Sequence, residues 1–243
     1  MSIVMALRGV HAGYGSVTVV RDLDIDIHAG EVVTILGRNG AGKTTALLTM
    51  AGALHTQRGE ITLLGAPDKS GLSARARKGV GLMTDDRSVL FGLTVRENFR
   101  LAGGTLDTSA QFPELERLRD VKAGLLSGGQ QQMLGLAVVL SRRPKLLLID
   151  EMSFGLAPII VRRLMDIVRN VAAEGTAVVM VEQFARLALE HSDRGYVLVN
   201  GQIGTSGRAD DLLRNLSEIE QSYLGVDEPT LAAAETSDGS TEP

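Results

Sequence analysis

The sequence Gly-Arg-Asn-Gly-Ala-Gly-Lys-Thr at residues 37–44 constrains the fold of this 243-residue chain more than any other feature. Residues 32–36 form a short apolar run rich in β-branched side chains, which is typical of a buried strand, and residues 42–48 begin a helix. The three glycines allow turns closed to other residues, so successive N–H groups face one point at the positive end of the helix dipole. The pattern predicts a phosphate-binding loop between a strand and a helix of an α/β fold.

Residue types within this loop predict contacts with a nucleoside triphosphate. Lys43 is expected to reach the β- and γ-phosphates, and the Thr44 hydroxyl to ligate Mg²⁺. The other predicted nucleotide-binding residues of the loop are Gly37, Arg38, Asn39, Gly40, Ala41, Gly42 and Thr45. A glycine-rich turn with a purely structural role is the simpler interpretation, and the strand and helix on either side of the loop argue against it.

Two carboxylates, Asp150 and Glu151, end a second apolar run at residues 145–149. Ligand sites in open α/β sheets lie at the carboxyl ends of strands. We therefore expect Asp150 to hold Mg²⁺ and Glu151 to polarise the water that attacks the γ-phosphate. An acidic pair that only caps a strand is the alternative, and the phosphate loop upstream favours the catalytic interpretation.

The pentapeptide Leu-Ser-Gly-Gly-Gln at residues 126–130 has two compatible interpretations. Serine is a good helix N-cap and the glycine pair marks a turn before a helix expected over residues 131–141. With the other motifs, the pentapeptide also makes the chain resemble the ATP-binding subunits of ABC transporters over about residues 5 to 225. The resemblance implies ATP and Mg²⁺ as cofactors and a head-to-tail dimer. In such a dimer the signature contacts the nucleotide of the opposite subunit through Ser127, Gly128, Gly129 and Gln130.

A finer resemblance is to the ATP-binding subunits of branched-chain amino acid importers, the LivF type. The segments that carry it are residues 11–15, 122–134, 155–158, 181–183 and 193–198. It implies an ATPase that works with transmembrane permease subunits, paired with a second ABC ATPase or with itself, and indirectly with a solute-binding protein. It also implies a cytoplasmic subunit, peripheral on the inner face of the cell membrane.

Three further site residues follow from the resemblance. Tyr14 stands where the family places the aromatic ring that stacks on adenine. Asp85 is the nearest equivalent of a catalytic-site Gln or Glu that contacts Mg²⁺, although it is a methylene shorter than Glu. Gln183 replaces the usual histidine near the γ-phosphate, and glutamine can donate a hydrogen bond but cannot carry a proton. Because of these two departures, a nucleotide-gated regulatory module with little turnover stays open beside the enzyme, as does an ABC ATPase that powers another process.

The chain divides by composition into a folded part and a tail. Residues 1–226 are expected to form one ATPase domain, with a P-loop NTPase core of the α/β class, an antiparallel β subdomain and a small helical subdomain at about 86–143. Residues 103–109 read as a loop, which predicts a shortened helical subdomain. Residues 227–243 have little apolar content and are expected to be disordered. Residues 5–10 and 23–27 are predicted to be strands of an edge sheet, and residues 176–181 a buried strand. The Asn200-Gly201 pair predicts a hairpin. Pro158 to Ala173 is predicted to be an amphipathic helix that packs on the sheet through Ile159, Ile160, Leu164, Ile167, Val168 and Val171.

Charge and composition narrow the partners. The formal net charge is −4, with 25 basic and 29 acidic residues spread along the chain, so no basic stripe suited to nucleic acid is present. No apolar run approaches the ~18 residues of a spanning helix, and the first residues lack a signal-like apolar core. Membrane attachment is therefore expected through a protein partner. The chain contains no cysteine, which excludes disulfides and thiolate metal sites.

Overall fold

The computed structural model of the chain describes residues 2–84, 88–104, 111–153 and 155–224, the side chains of residues 223 and 224 excepted. The predicted Mg²⁺ contact Asp85, most of the predicted loop at 103–109 and the predicted tail at 227–243 lie outside these ranges.

Strands and helices alternate along most of the chain, as expected for an α/β fold. The strands are β1 (Ile3–Tyr14), β2 (Val17–His28), β3 (Val32–Leu36), β4 (Thr56–Leu63), β5 (Ala66–Pro67), β6 (Val80–Met83), β7 (Leu146–Asp150), β8 (Ala177–Val181), β9 (Arg194–Val199) and β10 (Gln202–Arg208). The helices are α1 (Lys43–Ala51), α2 (Leu72–Lys78), α3 (Val95–Leu101), α4 (Pro113–Arg117), α5 (Gly128–Leu140), α6 (Pro158–Ala173), α7 (Ala185–Glu190), α8 (Ala209–Arg214) and α9 (Leu216–Ile219).

A six-stranded sheet in the order β10-β9-β3-β8-β7-β6 forms the centre of the described chain. Strands β3, β8, β7, β6 and β9 run parallel to their neighbours, and only β10 is antiparallel to β9. All residues of β3, β7 and β8 are buried, as parallel strands covered on both faces should be. The carboxyl ends of these three strands therefore lie side by side at one edge of the sheet.

A second, antiparallel sheet has the order β2-β1-β4-β5. The sequence predicted strands at 5–10 and 23–27, whereas the structure extends both to twelve residues. Bulges in the β1–β2 pairing, between Leu7 and Val10 and again near Ala12, break the apolar alternation. An alternating apolar pattern cannot be followed across such a bulge, so the sequence predicted shorter strands than the structure contains.

Successive residues of the central strands face opposite cores. Leu146 and Leu148 of β7 pack with α1 and the antiparallel sheet in one core, whereas Leu147 and Ile149 pack with α5 and α6 in the other. This alternation is the two-residue period of a strand with both faces covered. It anchors the residue that follows, Asp150, between two packed layers.

Helix α6 has the predicted bounds, Pro158 to Ala173. Four of its six predicted core residues are buried, but Ile159 is 72% exposed and Ile160 is half-buried. Both residues lie in the first turn of the helix, where Ile160 packs against Gly129 of α5. Helix α5 begins at Gly128 rather than at the expected 131, because the Ser127 hydroxyl accepts a hydrogen bond from the Gln130 N–H and caps the helix earlier.

Helices α3 and α4 pack with α5 in one core, and α5 also contacts the edge strand β6. Helix α3 ends at Leu101 and Gly103 follows with φ 75°, in agreement with a loop starting at 103. A forked ion pair from Arg163 on α6 to Glu114 on α4, with bonds of 2.5 and 2.9 Å, joins this helical region to the core. None of the helices in the described segments is both long and apolar enough to cross a membrane.

Candidate nucleotide-binding site

The predicted phosphate loop lies between β3 and α1, at the carboxyl edge of the large sheet. Gly42 has φ 103°, and a Cβ there would lie 2.7 Å from Val20 Cγ1; a Cβ on Gly37 would lie 2.6 Å from the Leu198 carbonyl oxygen. No side chain fits either position without moving a neighbouring strand. The loop is therefore shaped by close contact with β2 and β9, and its concave side is open to a ligand.

A hairpin turn supports this loop from outside. Asn200 and Gly201, with φ 49° and 83°, join β9 to β10 as predicted. The Gly201 N–H donates to the Ala41 carbonyl at 3.0 Å, and the Arg21 N–H donates to the Gly201 carbonyl at 2.8 Å. The hairpin thus ties the phosphate loop to strand β2 of the other sheet.

Lys43 points into the loop. Its side chain is 5% exposed, and its Nζ donates to the carbonyls of Gly37 at 2.9 Å and Arg38 at 3.3 Å. Burial lowers the pKa of this ammonium, while the carboxylates of Glu151, Asp150 and Glu182 oppose that shift. A buried cation beside open backbone N–H groups is suited to polyphosphate.

The two predicted catalytic carboxylates occupy different environments. Asp150 is the last residue of β7 and is 3% exposed. Glu151 follows with φ 46°, and its side chain is 22% exposed with Oε1 3.9 Å from Lys43 Nζ. A cavity of about 240 Å³ brings Glu151 together with the loop; its described lining is Val19, Asn39, Gly40, Gly42, Lys43, Thr44, Thr45 and Glu151.

The side chain of Gln183 contacts the Glu151 carboxylate. Strands β7 and β8 are neighbours, so the residues that follow them meet. The Gln183 Nε2 donates to Glu151 Oε2 at 2.9 Å. Glu151 therefore has one carboxylate oxygen held by an amide and the other on the side of Lys43.

The residues predicted to hold Mg²⁺ fit that ion by their donor atoms. Thr44 is exposed at the first turn of α1 and offers a hydroxyl, and Asp150 offers a carboxylate at the end of the neighbouring strand. Oxygen donors of this kind, completed by phosphate and water oxygens, are the usual magnesium set in phosphoryl-transfer sites. The third predicted contact, Asp85, lies outside the described residues.

Tyr14 lies at the end of β1, 52% exposed, and pairs with Val17 at the start of β2. Two residues further along β2, Val19 lines the cavity. Tyr14 is thus five residues before a residue that lines the cavity, and about half of its surface is exposed to solvent. Adenine stacking by Tyr14 stays a prediction.

The predicted signature residues are not part of this cavity. None of its described lining residues belongs to the segment 127–130. Ser127 is exposed, and its N–H donates to Gln130 Oε1 at 2.9 Å, so Gln130 completes a capping box at the start of α5. Gly129 packs on α6, where a Cβ would lie 3.3 Å from Ile160 Cγ2. Within one chain these four residues face elsewhere than the phosphate loop.

Sequence reasoning missed a contact between Ser153 and Glu182. Both side chains are buried, and Ser153 donates two hydrogen bonds to the Glu182 carboxylate. The available signal was an acidic residue directly after an apolar run, at the end of a strand predicted to be buried.

A parallel sheet with a glycine loop after β3, a buried lysine in that loop and an acidic pair after β7 defines a P-loop nucleoside triphosphatase. The model of the ABC transporter family matches residues 20–153, more than half of the chain. The chain belongs to this family, and its ATP-binding domain hydrolyses ATP.

Named relatives fall within the same family. The chain is 37% identical over 237 residues to the high-affinity branched-chain amino acid transport ATP-binding protein BraG of Pseudomonas aeruginosa, covering 91% of this chain and 100% of that protein. It is 31% identical over 229 residues to a probable branched-chain amino acid transport ATP-binding protein LivF of Archaeoglobus fulgidus, covering 89% and 97%. It is 29% identical over 237 residues to the lipopolysaccharide export system ATP-binding protein LptB of Escherichia coli, covering 92% and 98%.

Solved structures agree on the fold. An ATP-binding cassette of an ABC transporter, MJ1267, superposes with a TM-score of 0.83 at 22% identity, covering 91% of this chain and 97% of that one. A nucleotide-free ATP-binding cassette from an ABC transporter superposes with a TM-score of 0.80 at 23% identity, covering 89% and 96%. The predicted α/β P-loop fold is confirmed.

Proposed function

We propose that this chain is the ATP-hydrolysing subunit of an importer for branched-chain amino acids or a related small polar solute. The observation that carries the proposal is the 37% identity to BraG over the whole of that protein. A relative of the export class, LptB, matches at lower identity over a similar length. Import is therefore the direction favoured over export.

The proposed hydrolytic site uses the contacts of Lys43, Glu151 and Gln183. Lys43, now bonded to two loop carbonyls, turns its charge toward the β- and γ-phosphates. Glu151 accepts the proton of the attacking water on the side of Lys43, and Gln183 holds the other carboxylate oxygen. Mg²⁺, held through Thr44 and Asp150, neutralises charge on the phosphate oxygens when bound. Because Gln183 cannot take a proton, Glu151 is the general base of this arrangement.

Exposure of the signature supports a dimer with two shared sites. Ser127 is exposed, Leu125 two residues earlier is 77% exposed, and residues 127–130 are not among the described residues that line the phosphate loop cavity of their own chain. The binding site for the nucleotide at one phosphate loop is thus completed by residues 127–130 of a second ATPase, as the family resemblance implies. Cassettes of this family dimerise and work with membrane permease subunits.

A groove beside β6 supports docking of a permease subunit. It has a volume of about 580 Å³ and lies between the edge strand β6, helix α2 and helix α5. Three large apolar side chains that are close in sequence to its lining residues Ser88 and Ala102 are at least half exposed: Leu90, Phe91 and Leu101. A permease segment that covers these side chains would place this subunit on the inner face of the membrane, with a solute-binding protein reached only through the permease.

Co-purification and uptake test the direction and the substrate. The chain is expressed with the membrane proteins encoded beside its gene, recovered as a complex and placed in vesicles. ATP-driven accumulation of labelled leucine, isoleucine or valine that is lost in Glu151→Gln supports the proposal. Recovery with an export complex, or recovery only in complexes without membrane subunits, would overturn it.

A further inference from the structure

The buried side chain of Glu182 has no part in the roles proposed so far. It directly follows β8 and is 2% exposed. The Ser153 N–H donates to Glu182 Oε1 at 3.2 Å, and the Ser153 hydroxyl donates to Glu182 Oε2 at 2.5 Å. One residue thus engages both oxygens of a carboxylate that is closed off from solvent.

Placing a carboxylate here is unfavourable in itself. Burial raises the pKa of Glu182 to about 7; the hydrogen bonds from Ser153 oppose the shift, and the negative charge of Glu151 adds to it. An apolar residue of similar size would avoid this desolvation. The feature that an apolar residue could not supply is the pair of acceptors for Ser153.

Ser153 lies two residues after Glu151, in the turn that leaves β7. Glu151 has φ 46°, a left-handed conformation that is unfavourable for a non-glycine residue and persists only where its surroundings hold it. One restraint is the hydrogen bond from the Glu151 N–H to the Val181 carbonyl at 2.9 Å. The Ser153 to Glu182 bonds are the second, because they fix the chain immediately after the turn.

These contacts close a ring between the ends of two strands. From Glu151 the chain runs to Ser153, which bonds Glu182, and the next residue, Gln183, bonds back to Glu151 at 2.9 Å. A shift of Ser153 therefore moves the base, and a shift of Glu182 moves the amide that holds the base.

We propose that Glu182 is a positioning residue for ATP hydrolysis, which holds Ser153 and thereby fixes the direction of the Glu151 carboxylate. The inference rests on the roles proposed for Glu151 and Gln183. Glu182 is not among the described residues that line the phosphate loop cavity. It therefore acts through its neighbours.

Three variants separate positioning from simple packing. Glu182→Ala removes both acceptors, and Ser153→Ala removes the hydroxyl donor but keeps the backbone bond. Glu182→Gln keeps the connection without the charge, because its oxygen accepts from the Ser153 N–H and its amide donates to the hydroxyl. We expect kcat to fall on the order of tenfold to a hundredfold in Glu182→Ala, less in Ser153→Ala, and to be largely restored in Glu182→Gln.

The measurements are kcat and KM for ATP in the full 243-residue chain, and hydrogen exchange of the Ser153 amide in the nucleotide-free state. Positioning predicts a loss in kcat with KM within about twofold, and faster exchange of the Ser153 amide in Glu182→Ala but not in Glu182→Gln. Glu31→Ala is the matched control, because it also removes a buried glutamate, which is 6% exposed. Glu31 directly precedes β3, at the end of that strand away from the phosphate loop. The kcat of this variant should not change.

Failure of this inference differs from failure of the proposed site. Unchanged kcat in Glu182→Ala, or an equal loss in Glu182→Ala and Glu182→Gln, overturns the positioning role while Glu151→Gln still abolishes hydrolysis. If Glu151→Gln retains the wild-type kcat, the proposed role of Glu151 is wrong, and the inference falls with it. Should Glu182→Ala not fold, the kcat of Ser153→Ala and its ratio to Glu182→Gln decide the question.

Discussion

At the scale of single residues, the site is built from groups held in unfavourable states. Lys43 is buried, Glu151 is in a left-handed conformation and Glu182 is a carboxylate without solvent. The identities of Lys43 and Glu151 could be predicted, because residue type and spacing identify a phosphate loop and a strand-end base. The hydrogen bonds around Glu151 could not, because the bonds from Gln183 to Glu151 and from Ser153 to Glu182 join residues about thirty positions apart.

Replacing Lys43 tests the phosphate loop. Lys43→Ala removes the only side-chain charge bonded to the loop carbonyls in the described cavity, and ATP affinity should fall on the order of tenfold to a hundredfold, as expected for a charged hydrogen bond. The dissociation constant is measured by calorimetric titration. Lys145→Ala, an exposed lysine just before β7, is the control and should bind ATP normally. Equal affinity in wild type and Lys43→Ala contradicts the assignment.

The raised pKa of Glu182 gives a stability change with a definite sign. Between its ordinary value of 4.5 and the folded value of about 7, the unfolded chain releases this proton while the folded chain keeps it. Stability is therefore lost as the pH rises through that window, by on the order of 1 to 3 kcal/mol, and the loss levels off above it. The charged groups that interact with Glu182 are Glu151 and Lys43.

Glu182→Gln removes this titration. The nucleotide-free variant should gain stability relative to wild type as the pH is raised from 5 to 8, as measured by urea unfolding at each pH. A difference between the two proteins that stays constant across this range would mean that Glu182 is already ionised at pH 5 in the folded state.

At the scale of elements, the sequence predicted what periodicity and spacing can express. Helix α6 and strand β3 have the predicted bounds. Strands β1 and β2 are longer than predicted because bulges interrupt their alternation. Helix α5 starts earlier because a side-chain cap, rather than apolar spacing, determines its first turn.

The end of α1 depends on a buried arginine. Arg75 on α2 is 3% exposed; it donates to the α1 carbonyls of Thr49 at 2.7 Å and Met50 at 2.9 Å, and to the Asp68 carboxylate. Arg75→Ala leaves these acceptors buried. Because Lys78 still pairs with Asp68, the loss of unfolding free energy should be about 3 kcal/mol, the lower end for a broken buried pair.

Denaturant unfolding measures this change directly. Arg77→Ala, an exposed arginine on the same helix, is the control and should stay within about 0.5 kcal/mol of wild type. A similar small effect in Arg75→Ala would show that water satisfies the two α1 carbonyls.

At the scale of the whole molecule, the two halves of the predicted site face apart within one chain. The phosphate loop, Glu151 and Gln183 lie together, whereas residues 127–130 lie on another surface. The sequence predicted both motifs, but only their separation in the fold supports the idea that a second subunit must complete the site.

Ser127→Arg tests this arrangement. Because Ser127 is exposed and away from the cavity, the isolated variant should bind ATP within about twofold of wild type, yet fail to dimerise with ATP. Sedimentation in a Glu151→Gln background, where ATP persists, measures the dimer. Ser217→Arg on α9 adds the same charge elsewhere and should dimerise normally. A monomer that hydrolyses ATP at the full rate would refute a shared site.

The hairpin at Asn200-Gly201 has a consequence for how little of the chain can function alone. The phosphate loop, the signature, the acidic pair and Gln183 all lie before residue 184, and the family model itself ends at residue 153. The backbone bond that keeps Ala41 in place, however, is donated by Gly201. A fragment truncated after residue 190 would retain the phosphate loop, the signature and the acidic pair, and would lose β9, β10 and that bond. Its motifs would still identify it as an ATPase, but its phosphate loop would lack the hydrogen bond from Gly201 to Ala41 and should bind phosphate more weakly.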